Sequence, residues 1–192
     1  MARDPTFGLA HLELAEALLR GVNPDLERVR HHLARAVVLL PDNPRAHELF
    51  ARHAEIEGDR ELAVRHYRCA LDRREGLTDA RYRLAVQQFE LGRYGEAGVQ
   101  LRRLFTDDPT MVSARVLFSR VLESEGRHRE AAQHLETAAR YSRDNPVLLR
   151  RAADLYAKAG EVSEARRLDD EADARDPPKE GRDLRPLRPS RR

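Results

Sequence analysis

The sequence predicts an all-α fold, an array of about five helix hairpins in series, and three observations support this prediction. Four glycines recur at intervals of 34 residues, and each is followed five residues later by an alanine. The glycines are Gly58, Gly92, Gly126 and Gly160, and the alanines are Ala63, Ala97, Ala131 and Ala165. A period of this length is typical of helix–turn–helix repeats. Hydrophobic residues make up 41% of the chain and aromatic residues only 5%, which favours stacked helices with many small core contacts.

The first hairpin is predicted over about residues 8–43, where the repeat pattern is weakest. Apolar residues recur at helical spacing over residues 9–19. Asn23 then provides a helix cap, and Pro24 suits the first position of a second helix, which ends before Pro41. A terminal unit is expected to be atypical because one of its faces has no neighbouring repeat.

Four further hairpins follow at the regular spacing. They are predicted near residues 44–77, 78–111, 112–145 and 146–176. The pairs Asn43-Pro44 and Asn145-Pro146 repeat the helix-start signal. A glycine just beyond a helix end can adopt the left-handed conformation that reverses the chain. The alanine five residues later then allows the returning helix to approach the first one closely.

The last sixteen residues differ in composition from the rest of the chain. Residues 177–192 contain six Lys or Arg against two Asp or Glu, a net charge of +4, so the chain's +2 leaves the remaining residues at 2 − 4 = −2. This Pro/Arg-rich segment has no helical periodicity and is predicted to be a disordered basic tail. Residues 1–176 are predicted to form the repeat domain.

The composition excludes several classes of protein. No apolar run approaches the roughly 18 residues that a membrane span needs, and the N-terminus lacks the features of a secretory signal. A single cysteine, Cys69, cannot form an internal disulfide. Together with the arginine-rich composition, these features predict a protein of the bacterial cytoplasm.

The sequence predicts a protein without catalytic activity and without a cofactor or metal. The eight histidines form no ligand pattern such as HExxH, and the glycines are spaced as turns rather than as a phosphate-binding loop. Cys69 stands beside the packing residue Ala70, as expected of an inert, half-buried thiol.

The repeats resemble those of the tetratricopeptide repeat family over about residues 8–177. Residues 82–97 look like the first helix, the turn and the start of the second helix of that family. The small residues that the family has in the middle of the first helix fall at Ala51, Ala85, Ser119 and Ala153, and its closing proline falls at Pro41, Pro109 and Pro177. Two departures stand out. The aromatic residue expected early in the first helix is replaced by His47, Arg81, Arg115 and Leu149, and Glu75 replaces one closing proline.

The resemblance implies a right-handed superhelix whose concave groove is lined by the first helix of each hairpin and binds a peptide or helix of a protein partner. Alignment on the glycines places charged and apolar residues on this groove. They are Arg45, Glu48, Arg52, Glu55, Tyr82, Arg83, Val86, Phe89, Glu90, Val116, Arg120, Glu123, Arg150, Arg151 and Asp154. The mixture of apolar residues and arginines suits a ligand with apolar anchors and some acidic character. The predicted function is that of an adaptor that assists assembly of a multiprotein complex.

Three alternatives stay open from the sequence. The first is a secretion or assembly chaperone dedicated to one client protein. The second is association of the basic tail with nucleic acid or another anionic surface, although the tail has no aromatic residue for base stacking, which disfavours nucleic acid. The third is self-association of two copies through the groove or a terminal repeat. The predicted groove contains no asparagine, so the Lys/Asn clamp with which some family members hold chaperone tails is not expected.

Overall fold

The computed structural model describes residues 5–176, and within this range every regular element is an α-helix. The helices are α1 (Pro5–Leu19), α2 (Leu26–Leu39), α3 (Pro44–Glu57), α4 (Arg60–Arg73), α5 (Thr78–Glu90), α6 (Tyr94–Asp107), α7 (Val112–Ser124), α8 (His128–Tyr141), α9 (Pro146–Lys158) and α10 (Val162–Arg175). Consecutive helices pack as antiparallel hairpins, here numbered one to five, and each hairpin packs on the next. The predicted basic tail lies outside the described residues.

Side-chain caps define where several of the helices begin. Asn43 accepts hydrogen bonds from two backbone amides at the start of α3, and Asn145 accepts one at the start of α9, as the sequence predicts. The prediction for α2 is wrong by two residues. The side chain of Asp25 accepts from the backbone amide of Arg28, so Asp25 caps this helix in place of Asn23.

The turns within hairpins two to five depend on the periodic glycines. Their φ angles lie between 74° and 83°, a conformation that strains residues with a side chain. A Cβ atom at any of these four positions would contact nothing within 4 Å. Glycine is therefore required by the backbone conformation and not by crowding.

The core is divided into three clusters along the array. An N-terminal cluster joins α1, α2 and α3, a middle cluster joins α3, α4 and α5, and a C-terminal cluster extends from α5 to α10. The periodic alanines Ala63, Ala97 and Ala131 are fully buried, as close packing of the paired helices requires. Among the helices of residues 5–176, none combines the length and the apolar character needed to cross a membrane.

Candidate protein-interaction groove

Ion pairs connect the first helices of neighbouring hairpins across the predicted groove. Between hairpins two and three, Arg83 Nη1 lies 3.0 Å from Glu55 Oε2, and Gln87 Nε2 donates to Glu55 Oε1 at 2.9 Å. Glu55 therefore bridges two residues of α5. Both Arg83 and Glu55 were predicted to bind a partner, and the structure brings them together with each other.

The same arrangement recurs at the other junctions between hairpins. Glu123 of α7 lies 2.8 Å from Lys158 Nζ and 3.7 Å from Arg151 Nη2, both on α9. The hydrogen bond from Lys158 lowers the pKa of the Glu123 carboxyl; burial opposes this effect, and the positive charges of Lys158 and Arg151 add to it. At the N-terminal end, Arg45 of α3 pairs with Glu16 of α1. Much of the predicted groove charge is thus neutralised between hairpins.

The apolar residues predicted for the groove lie at its middle. Tyr82, Val86, Phe89 and Val116 are all half-buried and pack against the C-terminal cluster. The Arg120 guanidinium carbon lies 4.4 Å from the centroid of the Phe89 ring, a cation–π geometry, and Nη2 of Arg120 is 3.9 Å from Glu90. Phe89 is therefore partly covered by the protein's own arginine.

Two predicted groove residues of α9 lie near the second helix of the same hairpin. Arg150 forms ion pairs with Asp173 and Asp176 of the α10 segment, at 3.1 and 3.3 Å, and donates to the Asp176 carbonyl at 2.7 Å. Asp154 is exposed, and its charge adds to the effect of burial in raising the pKa of Asp169 on α10. The guanidinium of Arg150 is thus occupied within hairpin five.

An open pocket lies at the N-terminal end of the groove, between α1 and α3. Three apolar residues, Leu19, Leu49 and Ile56, line it together with three charged residues, Glu16, Arg20 and Arg52. The side chain of Ile56 is 57% exposed. Arg20 is held by Glu16 at 2.7 Å.

Arg52 is the charged residue of this N-terminal pocket that is available for a ligand. It is exposed and takes part in no hydrogen bond or ion pair within residues 5–176. Glu48, one turn earlier on α3, is half-buried. Of the predicted groove residues, Arg52 thus has the freest charge beside an apolar surface.

Three of the four residues that replace the family's early aromatic have a structural role at the junctions between hairpins. His47 Nε2, Arg81 Nη2 and Arg115 Nε donate to backbone carbonyls six residues earlier, at 3.0, 2.7 and 2.9 Å. The acceptors are the carbonyl oxygens of Pro41, Glu75 and Pro109. These side chains therefore fasten each first helix to the segment that precedes it, a task that the apolar side chain of Leu149 cannot perform.

Histidines are concentrated in hairpins one and two, where they pair across the helices. His11 and His32 approach at 2.7 Å between Nδ1 atoms, and His47 and His66 approach at 3.1 Å. No three His, Cys, Asp or Glu side chains in the described part of the chain converge on a position suited to a metal ion. The histidine pairs are hydrogen-bonded contacts between paired helices.

Comparison with known proteins also indicates a fold of helix-hairpin repeats. Residues 122–185 match the family model described as tetratricopeptide repeat. No curated protein sequence matches the chain. MamA (residues 41 to the end) from Desulfovibrio magneticus RS-1 is similar in structure, with a TM-score of 0.75 and 13% identity over 86% of this chain and 93% of that chain.

Two further solved structures are similar in the same way. YrrB, described as a tetratricopeptide repeat protein with an unusual peptide-binding site, has a TM-score of 0.77 and 20% identity over 92% of this chain and 89% of that chain. PilF from Pseudomonas aeruginosa has a TM-score of 0.65 and 23% identity, covering 90% of this chain and 78% of that chain.

Similarity at these levels of identity concerns the fold, and the fold is the right-handed solenoid of helix hairpins that the sequence predicts. The family model covers the second helix of hairpin four and both helices of hairpin five, and hairpins two to five share the 34-residue spacing of glycine and alanine. Residues 122–185 thus match the tetratricopeptide repeat family, and the chain as described has the fold of tetratricopeptide repeat structures.

Proposed function

We propose that this protein is a non-enzymatic scaffold that binds a segment of a protein partner in the groove of its first helices, with the pocket between α1 and α3 as the main anchoring point. The observation that supports this proposal most directly is the juxtaposition in one pocket of an exposed apolar residue, Ile56, and a guanidinium that has no partner among residues 5–176, that of Arg52. Binding energy in protein interfaces concentrates where an apolar anchor enters a pocket beside a satisfied polar contact.

The chemistry of this pocket favours an apolar side chain flanked by an acidic residue. Leu19, Leu49 and Ile56 offer an apolar surface, and Arg52 can form a bidentate pair with a carboxylate. The cross-hairpin ion pairs, such as Glu55 with Arg83, have a different role in this proposal. They hold neighbouring first helices in register and keep the groove in its binding shape before the partner arrives.

The structural similarity to YrrB, which is described as having a peptide-binding site, supports a peptide ligand. Assembly of a multiprotein complex is the role that such a scaffold would serve. The single cysteine and the arginine-rich composition support a bacterial cytoplasmic setting for this role.

A displayed library of random peptides tests the proposal. We expect selection on the wild-type protein to enrich peptides in which a large apolar residue stands next to Asp or Glu. By fluorescence anisotropy, Arg52→Glu should weaken binding of these peptides by about tenfold or more, because it replaces an ion pair by a repulsion. Ile56→Asp should weaken binding to a similar degree because it places a charge on the apolar surface.

Two control variants match these changes on second helices. Val38 of α2 is as exposed as Ile56, at 57%, so Val38→Asp should leave peptide affinity unchanged. Arg65→Glu on α4 repeats the charge reversal of Arg52→Glu at another exposed position. Enriched peptides that bind Arg52→Glu and Ile56→Asp as tightly as the wild type would show that the groove pocket is not the binding site.

A further inference from the structure

A second pocket lies where α4 and α6, the second helices of hairpins two and three, meet the start of α5. We call it the junction pocket. Its lining includes Arg68, Leu71, Asp72, Arg81, Gln100 and Arg103. Since α4 and α6 supply most of these residues, the junction pocket is separate from the groove, which the first helices form.

Arg81 is the residue that gives the junction pocket its chemical character. Its side chain is 3% exposed. Nη2 donates to the Glu75 carbonyl at 2.7 Å, and Nη1 lies 3.4 Å from Gln100 Oε1, so the acceptors within hydrogen-bond distance are neutral. The Nε–H group is buried and has no hydrogen-bond partner in the part of the chain that the structure describes.

Among the described residues, Arg81 forms one long ion pair, and its carboxylate partner is exposed to solvent. The nearest paired carboxylate oxygen is Glu75 Oε1, at 3.9 Å, on a side chain that is 82% exposed. A buried positive charge is costly unless it is closely paired, and a long ion pair to an exposed side chain offsets little of that cost. The unpartnered Nε–H, in a side chain that lines the pocket, therefore indicates where an anion would bind.

Comparison with the next hairpin explains why the pocket is open. Arg115 is the counterpart of Arg81, 34 residues later, and its guanidinium lies 5.1 Å from the Phe105 ring and 5.5 Å from the Tyr141 ring. The residues 34 positions before these two rings are Leu71 and Asp107. Arg81 thus lacks the aromatic cover that Arg115 has.

The other charges of the pocket are arranged around this buried arginine. Arg103 of α6 is exposed and forms no ion pair within the described residues, so its guanidinium is free for a ligand. Arg68 of α4 pairs with Glu96. Asp72 and Glu75 are exposed to solvent, where water and salt screen their charge, whereas the charge of Arg81 is buried.

We propose that the junction pocket binds a small oxyanion, a carboxylate or phosphate group, through the Arg81 Nε–H and the guanidinium of Arg103. Arginine forks bind both groups through charge-assisted hydrogen bonds, and a partly desolvated site strengthens them. The site is independent of the groove pocket and would let the protein hold an anionic group on a second surface.

The arginine Nε–H resonances of the full chain, recorded by ¹⁵N NMR, give a direct test. Inorganic phosphate and acetate are titrated separately at constant ionic strength. We expect a saturable shift of the Arg81 and Arg103 resonances and none for Arg65, an exposed arginine of α4 outside the pocket. The anion that saturates at lower concentration identifies a phosphate-type or a carboxylate-type site.

Three variants complete the test. Arg103→Gln alters an exposed residue, so it should fold normally and weaken anion binding by about tenfold through loss of a charged hydrogen bond. Arg65→Gln removes the same charge elsewhere and should bind as the wild type does. Arg52→Glu, which disrupts the proposed groove pocket, should also leave anion binding unchanged, so the two proposals can fail separately. Shifts that do not saturate, or an Arg103→Gln variant with unchanged affinity, would overturn the anion site.

Discussion

His47 of α3 and His66 of α4 face each other with their Nδ1 atoms 3.1 Å apart. The Nε2 atom of His47 lies 3.0 Å from the Pro41 carbonyl and donates its proton there. A neutral His47 therefore has only a lone pair on Nδ1, and His66 must donate the proton between the two rings. Burial, followed by the charges of His47 and Arg65, lowers the pKa of His66 to about 4.

This histidine pair predicts that the protein loses stability in mild acid. The folded-state pKa of His66 lies below its unfolded value of 6.5, so the unfolded chain binds more protons between pH 6.5 and about 4. The contribution is fully present above pH 6.5 and decreases as the pH falls through this window. Because the ring is half-buried and partly screened, we expect a loss of about 1–2 kcal/mol. Urea denaturation at several pH values measures it.

The control for this prediction is His66→Gln. Gln100 occupies the equivalent position in α6, where it contacts Arg81, so glutamine is compatible with the site. The variant should show a shallower decrease of unfolding free energy between pH 6.5 and 4.5 than the wild type. An identical pH dependence would show that His66 does not titrate in this window.

Glu55→Gln should lower the free energy of unfolding by about 1–2 kcal/mol. The substitution removes the charge that accepts hydrogen bonds from Arg83 and Gln87 across two hairpins, and Glu55 is mostly buried. Chemical denaturation monitored by circular dichroism measures the change. Glu61→Gln is the matched control, since Glu61 pairs with Arg93 at a more exposed position and should cost less than about 0.5 kcal/mol. Equal effects of the two substitutions would argue against a special role for the groove ion pairs.

Gly98→Ala should stabilise the protein by about 0.5–1 kcal/mol, because glycine inside a helix costs conformational entropy. An added Cβ would lie 3.6 Å from Phe118 Cε2 and 3.7 Å from Val121 Cγ1, ordinary contact distances. Gly8→Ala is the contrasting case, since its Cβ would lie 2.6 Å from Leu40 Cγ. Thermal unfolding should show a higher midpoint for Gly98→Ala and a lower one for Gly8→Ala; midpoints that move in the same direction would contradict the packing seen here.

Ala131→Leu should destabilise hairpin four by about 1–3 kcal/mol, because Ala131 is fully buried and the extra atoms would separate the paired helices. Ala157→Leu, on the exposed side of α9, adds the same atoms where there is room and should change stability by less than about 0.5 kcal/mol. Urea unfolding compares them. A well-tolerated Ala131→Leu would mean that the small residue is not needed for close helix approach.

Much of the fold follows from local sequence signals. The turns at Gly58 and its three counterparts depend on backbone conformation, and the caps at Asn43 and Asn145 depend on adjacent residues. Such features can be recognised one at a time. The start of α2 is predicted two residues early because Asn23 and Asp25 are both residue types that cap helices well.

The contacts of the candidate site are harder to predict because they depend on how one hairpin rotates against the next. Periodicity places Glu55 and Arg83 on the same face of their helices, yet it does not show that they meet. The pocket lining from hairpin one is not predicted because its longer turn breaks the 34-residue spacing, which hides Leu19 and Arg20 from an alignment on the glycines. The sequence does contain one signal for this pocket, the apolar residue Ile56 two positions before the turn glycine Gly58.

The division of the core has a consequence for how the array opens. Leu84 belongs to the middle cluster, whereas the next residue, Ala85, belongs to the C-terminal cluster, so the boundary between two cores passes through α5. Units that pack mainly on their neighbours can lose structure in steps. Amide protons of α1–α4 are therefore expected to exchange with solvent sooner than those of α7–α9. A ligand bound between α1 and α3 would slow exchange in α1–α4 and leave exchange in α7–α9 unchanged.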